Sequence, residues 1–274
     1  MGRNDICFCG SNKKSKKCHP DINENSLAAK IIKSHNKVDR LISEHQKNTE
    51  KNSKCHKGCS ECCYHYFLIT DCEFSIILNE INDWDNDKKE ALSNKVKQYM
   101  DIFETEYPEI VTYLNTNHSG SKDIFLEVNN IITKTSFPCV FLEEEKQECL
   151  IYNVRPFICR THGNVMQITN NEEFDYDTLN SIICNRIGTY QNADWLVNIE
   201  LIAGNEHDYK NVPIASNKFI RIKEYPIFYH LYHNLFLEQL NFNVSPNLNL
   251  MFFSISEDEY ARRIKRSLGL DINN

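Results

Sequence analysis

The chain has 274 residues, 41% of them hydrophobic and 25% charged, with a formal net charge of -7 at pH 7. That length allows one large domain, or a domain with a small appendage. The acidic balance argues against a global nucleic-acid footprint, and no apolar run approaches the ~18 residues of a membrane span. In chain order, residues 1–21 form a compositionally distinct segment. Between Cys7 and His19 lie four lysines (Lys13, Lys14, Lys16, Lys17) and no acidic residue. So few apolar side chains cannot build a core, so a metal must hold the segment together. Residues 22–54 follow as an expected helical linker. Leu27, Ile31, Val38, Leu41 and Ile42 recur at helical spacing from Ser26 to about Asn48. Thr70 and Glu73 have capping-box spacing ahead of Phe74, Ile77, Leu78 and Ile81 and predict a helix start. Leu92, Val96, Tyr99, Phe103, Tyr107, Ile110 and Leu114 predict a helix from Lys88 to about Asn115, which Pro108 should kink or split. A further helix is expected over residues 121–133.

Phe137 to Tyr152 reads differently. Two short runs, at 139–142 and 148–152, flank a charged turn and predict a β-hairpin. Arg155-Pro156 should open a helix with Pro156 at its first position. Helices are also expected around Phe228–Gln239 and from Asp258 to Leu268, the latter stopping near Gly269. The expected fold class is α+β and mainly helical. A small N-terminal knuckle (1–21) and helical linker (22–54) lead to a cysteine-rich metal domain containing the hairpin (55–190), with a C-terminal extension (191–274) packed on it.

Twelve cysteines are many for a chain whose first residues, Met1-Gly2-Arg3-Asn4-Asp5, show no apolar leader core. The expected compartment is therefore the cytoplasm, where thiols stay reduced and clustered cysteines read as metal ligands rather than disulfides. Cys7, Cys9, Cys18 and His19 supply the three thiolates and one imidazole of a closed structural zinc site. Further on, Cys55, Cys59, Cys62 and Cys63 fall within nine residues, and Cys139, Cys149 and Cys159 follow at equal steps of ten. If the hairpin turns about Glu144, Cys139 and Cys149 lie opposite each other, and Cys159 enters the first turn of the next helix, where backbone amides favour a thiolate. Seven thiols would then converge on one side of the fold. They exceed one zinc site, so zinc, iron or a [4Fe–4S] cluster is open at this centre. His162 is the best nitrogen candidate, ahead of His56 and His65. Arg155 and Arg160 would offset thiolate charge, bind an anion, or form structural salt bridges. Cys72 and Cys184 read as packing cysteines.

Residues 3–19, with Cys7-Phe8-Cys9-Gly10-Ser11 and Lys16-Lys17-Cys18-His19, resemble the SEC-C motif, a zinc-binding module first recognised on the protein-translocation ATPase of bacteria. Asn12 and Ser15 stand where that family usually has Gly and Tyr. The resemblance implies zinc on the four ligands and a docking role, and the lysines would suit an acidic protein partner or a protein substrate. Cys59-x-x-Cys62-Cys63, the C-x-F-L element from Cys139, and Cys149-Leu150-Ile151-Tyr152 running into Arg155-Pro156-Phe157-Ile158-Cys159-Arg160 resemble the YkgJ-type CxxCxxCC family of zinc- or iron-chelating domains. The first gap, from Cys55 to Cys59, is one residue longer than the family name implies. The resemblance implies a cytoplasmic metal-binding protein. Related proteins that include a flagellin lysine methylase imply an alternative: an iron or iron–sulfur enzyme modifying a protein or peptide. Cys55, Cys59 and Cys62 also have radical S-adenosylmethionine spacing, but the largely helical stretch that follows does not predict a βα-barrel. No phosphate loop, dinucleotide fingerprint, H-E-x-x-H or G-x-S-x-G motif is present.

Overall fold

The computed structural model describes residues 4–49, 57–64, 67–115, 138–163, 165–166, 197–198, 211–215, 218–222 and 224–269. It is α+β and mainly helical. Helix α1 (Ser15–Cys18) lies in the N-terminal segment, and α2 (Leu27–Thr49) follows. Strand β1 (Leu68–Thr70) runs directly into α3 (Asp71–Asn82). Thr70 caps α3 with both halves of the capping box formed, so the chain turns from strand to helix without an intervening loop.

Helix α4 (Asn86–Glu106) starts on Asp85, whose side chain accepts from Lys88 N–H. It ends at Tyr107, and α5 (Pro108–Asn115) starts on the proline. The split follows from proline sterics, which push the preceding residue out of the α region. The helix expected at 121–133 lies outside the described residues.

The expected hairpin forms from β2 (Leu142–Glu143) and β3 (Glu148–Cys149). Its register differs from expectation: Leu142 pairs with Cys149 and Glu143 with Glu148. Cys139 is therefore not opposite Cys149. It sits in a turn before β2, donating its N–H to Cys63 O and accepting from Leu142 N–H at 2.9 Å. The reason lies in the turn, where Gln147 takes a positive φ of 54° and its side-chain amide donates to Glu144 O at 2.8 Å. Helix α6 (Phe157–Thr161) has Pro156 as its cap, one place outside the expected first position.

Strands β4 (Val165–Met166) and β5 (Val197–Asn198) pair in parallel, and β6 (Asn211–Ala215) and β7 (Lys218–Arg221) form a hairpin. Strand β8 (Glu224–Pro226) pairs antiparallel with β1. Helix α7 (Ile227–Tyr232) follows β8, and a π-helical turn continues it from His233 to Leu237. The helix expected over 228–239 is thus shorter and changes its winding. Helix α8 (Pro246–Asn249) precedes α9 (Glu257–Ser267), which Ser256 caps. Gly269 follows α9 at a φ of +67°, the left-handed conformation that ends helices.

Helix α3 divides two apolar cores. Ile77, Leu78 and Ile81 face α4, α7 and the hairpin, packing with Val96, Met100, Phe103, Phe141 and Leu231. Cys72 and Ile76 face α2, packing with Ile31, Val38, Phe157, Phe252 and Phe253. Cys7 and Cys9 belong to this second core, so the N-terminal segment rests on α2 and the C-terminal helices. Lys30 of α2 pairs with Glu257 of α9 at 2.6 Å, closing the same contact from outside.

Candidate metal centres

The N-terminal segment is a small knuckle. Ile6 bridges Lys14, Cys7 N–H donates to Lys13 O at 2.8 Å, and Gly10 N–H returns to Cys7 O at 3.1 Å. Gly10 (φ 77°) and Asn12 (φ 59°) both lie in the left-handed region. Asn tolerates that conformation better than other side-chain-bearing residues, which explains how Asn12 can stand where glycine is usual. The donor atoms of Cys7, Cys9, Cys18 and His19 all lie within 4.8 Å of one another. Cys7 Sγ is 3.2 Å from His19 Nδ1, and Cys9 Sγ is 3.5 Å from Cys18 Sγ. A tetrahedral zinc ion with Zn–S of about 2.3 Å sets its ligand atoms roughly 3.5–3.8 Å apart, so the donor set fits.

Electrostatics in the knuckle divide the thiols. Burial pushes Cys7 up to about 12. Burial also acts to raise Cys9, but hydrogen bonds from Ser11, Cys18 and Cys7 outweigh it and leave that thiol lowered. Burial lowers His19, keeping its imidazole neutral and able to act as a ligand. The ring of Phe8 packs 5.1 Å from His19.

The second candidate centre is a cavity of about 30 Å³, on the scale of an ion or one or two waters. Cys59, Cys62, Cys63, Cys139, Cys149 and Cys159 line it, with Phe67, Tyr152, Arg155 and Ile227 among the other walls. The thiols arrive on several local structures. Cys62 and Cys63 lie on a 3-10 turn (Glu61–Tyr64), Cys149 ends β3, and Cys159 sits in α6. Cys55 and His56 lie outside the described residues, as do His65 and Cys184. Cys72 is buried in the second core, where burial raises its thiol well above the usual value. His162 packs edge-on against Phe67 at 5.1 Å, and Phe67 is the one of the pair that lines the cavity.

Hydrogen bonding and charge couple the cavity thiols. Cys63 is raised, first by its hydrogen bond to Cys149 and then by that to Cys62. The same bonds lower Cys62 and Cys149. Burial pushes Cys139 up to about 12 and raises Cys159 well above the ordinary thiol value. Arg155 acts in the opposite direction on Cys62, Cys149 and Cys159. Its guanidinium stacks 4.0 Å over Tyr152 and lies 3.6 Å from Asp39. Arg160 also pairs with Asp39 and donates to Arg155 O and Asn153 O. Both arginines are therefore held by salt bridges, and Arg155 additionally faces the thiols.

Sequence reasoning did not find Ile227 as a wall of the cavity or the second role of Glu73. Glu73 is 3% exposed. One carboxyl oxygen accepts from Thr70 N–H and Oγ1, and the other accepts from Phe157 N–H at 3.1 Å, across 84 residues. It thus caps α3 and the start of α6, the helix that carries Cys159. The capping-box spacing marked its first role; nothing local marked the second.

Two cysteine-rich donor sets on one helical scaffold define a metal-binding protein. Residues 3–19 match the SEC-C motif, and residues 54–182 match the CxxCxxCC family, described as a "Putative zinc- or iron-chelating domain". The chain carries the two in that order. No curated protein and no solved structure matches it.

Proposed function

We propose that this is a cytoplasmic metal-binding protein with two distinct centres. Zinc sits on Cys7, Cys9, Cys18 and His19. Zinc or iron sits in the cavity on thiols drawn from Cys59, Cys62, Cys63, Cys139, Cys149 and Cys159, with Cys55 a further candidate ligand. The knuckle's lysine loop docks an acidic protein partner. The observation that carries the reading is the pair of disjoint donor sets, one closed and compact, the other six thiols around one small cavity. Four thiolates on a divalent ion carry a net charge of about -2, which Arg155 partly offsets.

A second reading rests on the number of thiols. Six exceed the four that one structural zinc needs, and an iron or [4Fe–4S] centre would supply redox chemistry for modifying a protein or peptide, such as methylation. Here Arg155 would tune the charge of the centre, and the walls of Phe67, Tyr152 and Ile227 would limit water.

Anaerobic purification with metal analysis and a visible spectrum tests both readings. Two zinc ions per chain and no visible band would sink the iron enzyme. A brown protein with acid-labile sulfide would sink the purely structural version. Replacing Cys149 and Cys159 with serine should remove the central metal and leave the knuckle zinc bound; a protein with no metal beyond the knuckle before substitution would overturn the two-centre proposal.

A further inference from the structure

The segments that carry the two donor sets meet on one turn of α2. Asn36 donates its side-chain amide to Cys9 O in the knuckle at 2.9 Å. Asp39, three residues on and so on the same helix face, receives Arg155 and Arg160 from the segment between Cys149 and the end of α6. Arg160 has a side chain only 4% exposed, and Arg155 is 11% exposed. Asp39 is thus an anion set against two nearly buried guanidiniums. The knuckle also covers the N-terminal half of α2: Cys7 and Cys9 pack with Leu27, Ala28, Ile31 and Ile32, and Lys33 lies over the Phe8 ring at 5.6 Å.

We propose that Asn36 and Asp39 couple the two centres, so that zinc in the knuckle tightens metal binding in the cavity. The inference rests on the two-centre reading above. A knuckle of this composition folds only around its metal. Losing the metal releases the Asn36 bond and uncovers the apolar face of α2. Asp39 then holds the arginines less firmly, and Arg155 and α6 position Cys159 and the neighbouring thiols less well. Groups that orient metal ligands from behind change affinity by roughly 10–100-fold. By reciprocity, metal in the cavity tightens zinc in the knuckle by the same factor. Asp39 is a positioning residue and touches no metal.

The test uses the full chain loaded anaerobically with Zn²⁺ and competed against a chromophoric chelator. Cys9→Ser/Cys18→Ser removes the knuckle site; the release phase that survives it and vanishes in Cys149→Ser/Cys159→Ser belongs to the cavity. The knuckle variant should weaken cavity binding about fivefold or more, and Asp39→Asn should weaken it on the order of tenfold. The combined variant should be no weaker than Asp39→Asn, because the link is already cut. A purely structural role for Asp39 would instead make the two losses multiply. If Asp39→Asn does not fold, Asn36→Ala leaves the arginine clamp intact and should still abolish the effect of the knuckle substitution. Cavity affinity that ignores the knuckle, or losses that multiply, would overturn the coupling while leaving both centres standing. A wild-type protein without cavity metal would overturn the two-centre reading itself.

Discussion

Replacing Glu73 with alanine removes one carboxyl group that serves two helices. Thr70 N–H and Phe157 N–H lose their side-chain acceptor in a buried site, and Thr70 Oγ1 loses a third bond. Each of these two buried donors left unpaired costs about 1–3 kcal/mol, the Thr70 N–H being the lost half of the capping box. The expected destabilisation is therefore about 2–6 kcal/mol, a large share of the ~5–15 kcal/mol that holds a domain together. Glu73→Gln keeps one acceptor oxygen and should cost about half as much. Chemical denaturation followed by helical circular dichroism measures both variants. Because Phe157 opens the helix that carries Cys159, cavity metal should also fall more than knuckle zinc when each is titrated with chelator. An alanine variant within about 1 kcal/mol of wild type would refute the argument that one carboxyl caps both helices.

Further outcomes follow from the cavity thiols, the knuckle turn and the core. Cys139 is held up to about 12 in the fold, against about 8.5 for a free thiol. The folded, metal-free state thus keeps a proton that the unfolded chain gives up above pH 9. The stability of metal-free protein from this group is fully present below that pH and should fall as pH rises toward 12; a denaturation midpoint flat from pH 8 to 10.5 would contradict it. Metal loading displaces these protons, so cavity affinity should rise with pH between 6 and 8, as chelator competition would show. Asn12→Val places a β-branched residue at a φ of 59° and should cost the knuckle about 1–2 kcal/mol, read as faster zinc release, whereas Asn12→Gly should not. Phe141→Ala empties a fully buried site beside Trp84 and should cost about 3–5 kcal/mol in denaturant.

The legible parts of this chain were local ones. The Thr70…Glu73 spacing located the start of α3 because a capping box closes within three residues. Pro108 located the break between α4 and α5 because proline sterics act on its immediate neighbour. The four knuckle ligands were legible because a basic loop of eight residues between Cys9 and Cys18 leaves a metal as the means of folding it. The hairpin register was not legible. It depended on Gln147 accepting a left-handed conformation, and Gln carries no strong turn signal. The π-helical turn after Tyr232 was equally hidden, since its spacing reads as ordinary helix.

The sequence by itself determined which residue types could bind metal, and it placed them in two groups. Their pattern is short-range chemistry, and thiols at close spacing keep that meaning in any surrounding fold. Only the tertiary structure decided that Cys139 reaches the cavity from a turn and not from across the hairpin. It alone brought Ile227 in through the pairing of β8 with β1, and set Asp39 of α2 beneath Arg155 and Arg160. Those contacts join residues more than a hundred positions apart. They form because two apolar cores share α3, and no local pattern records which distant side chain will complete a buried charge.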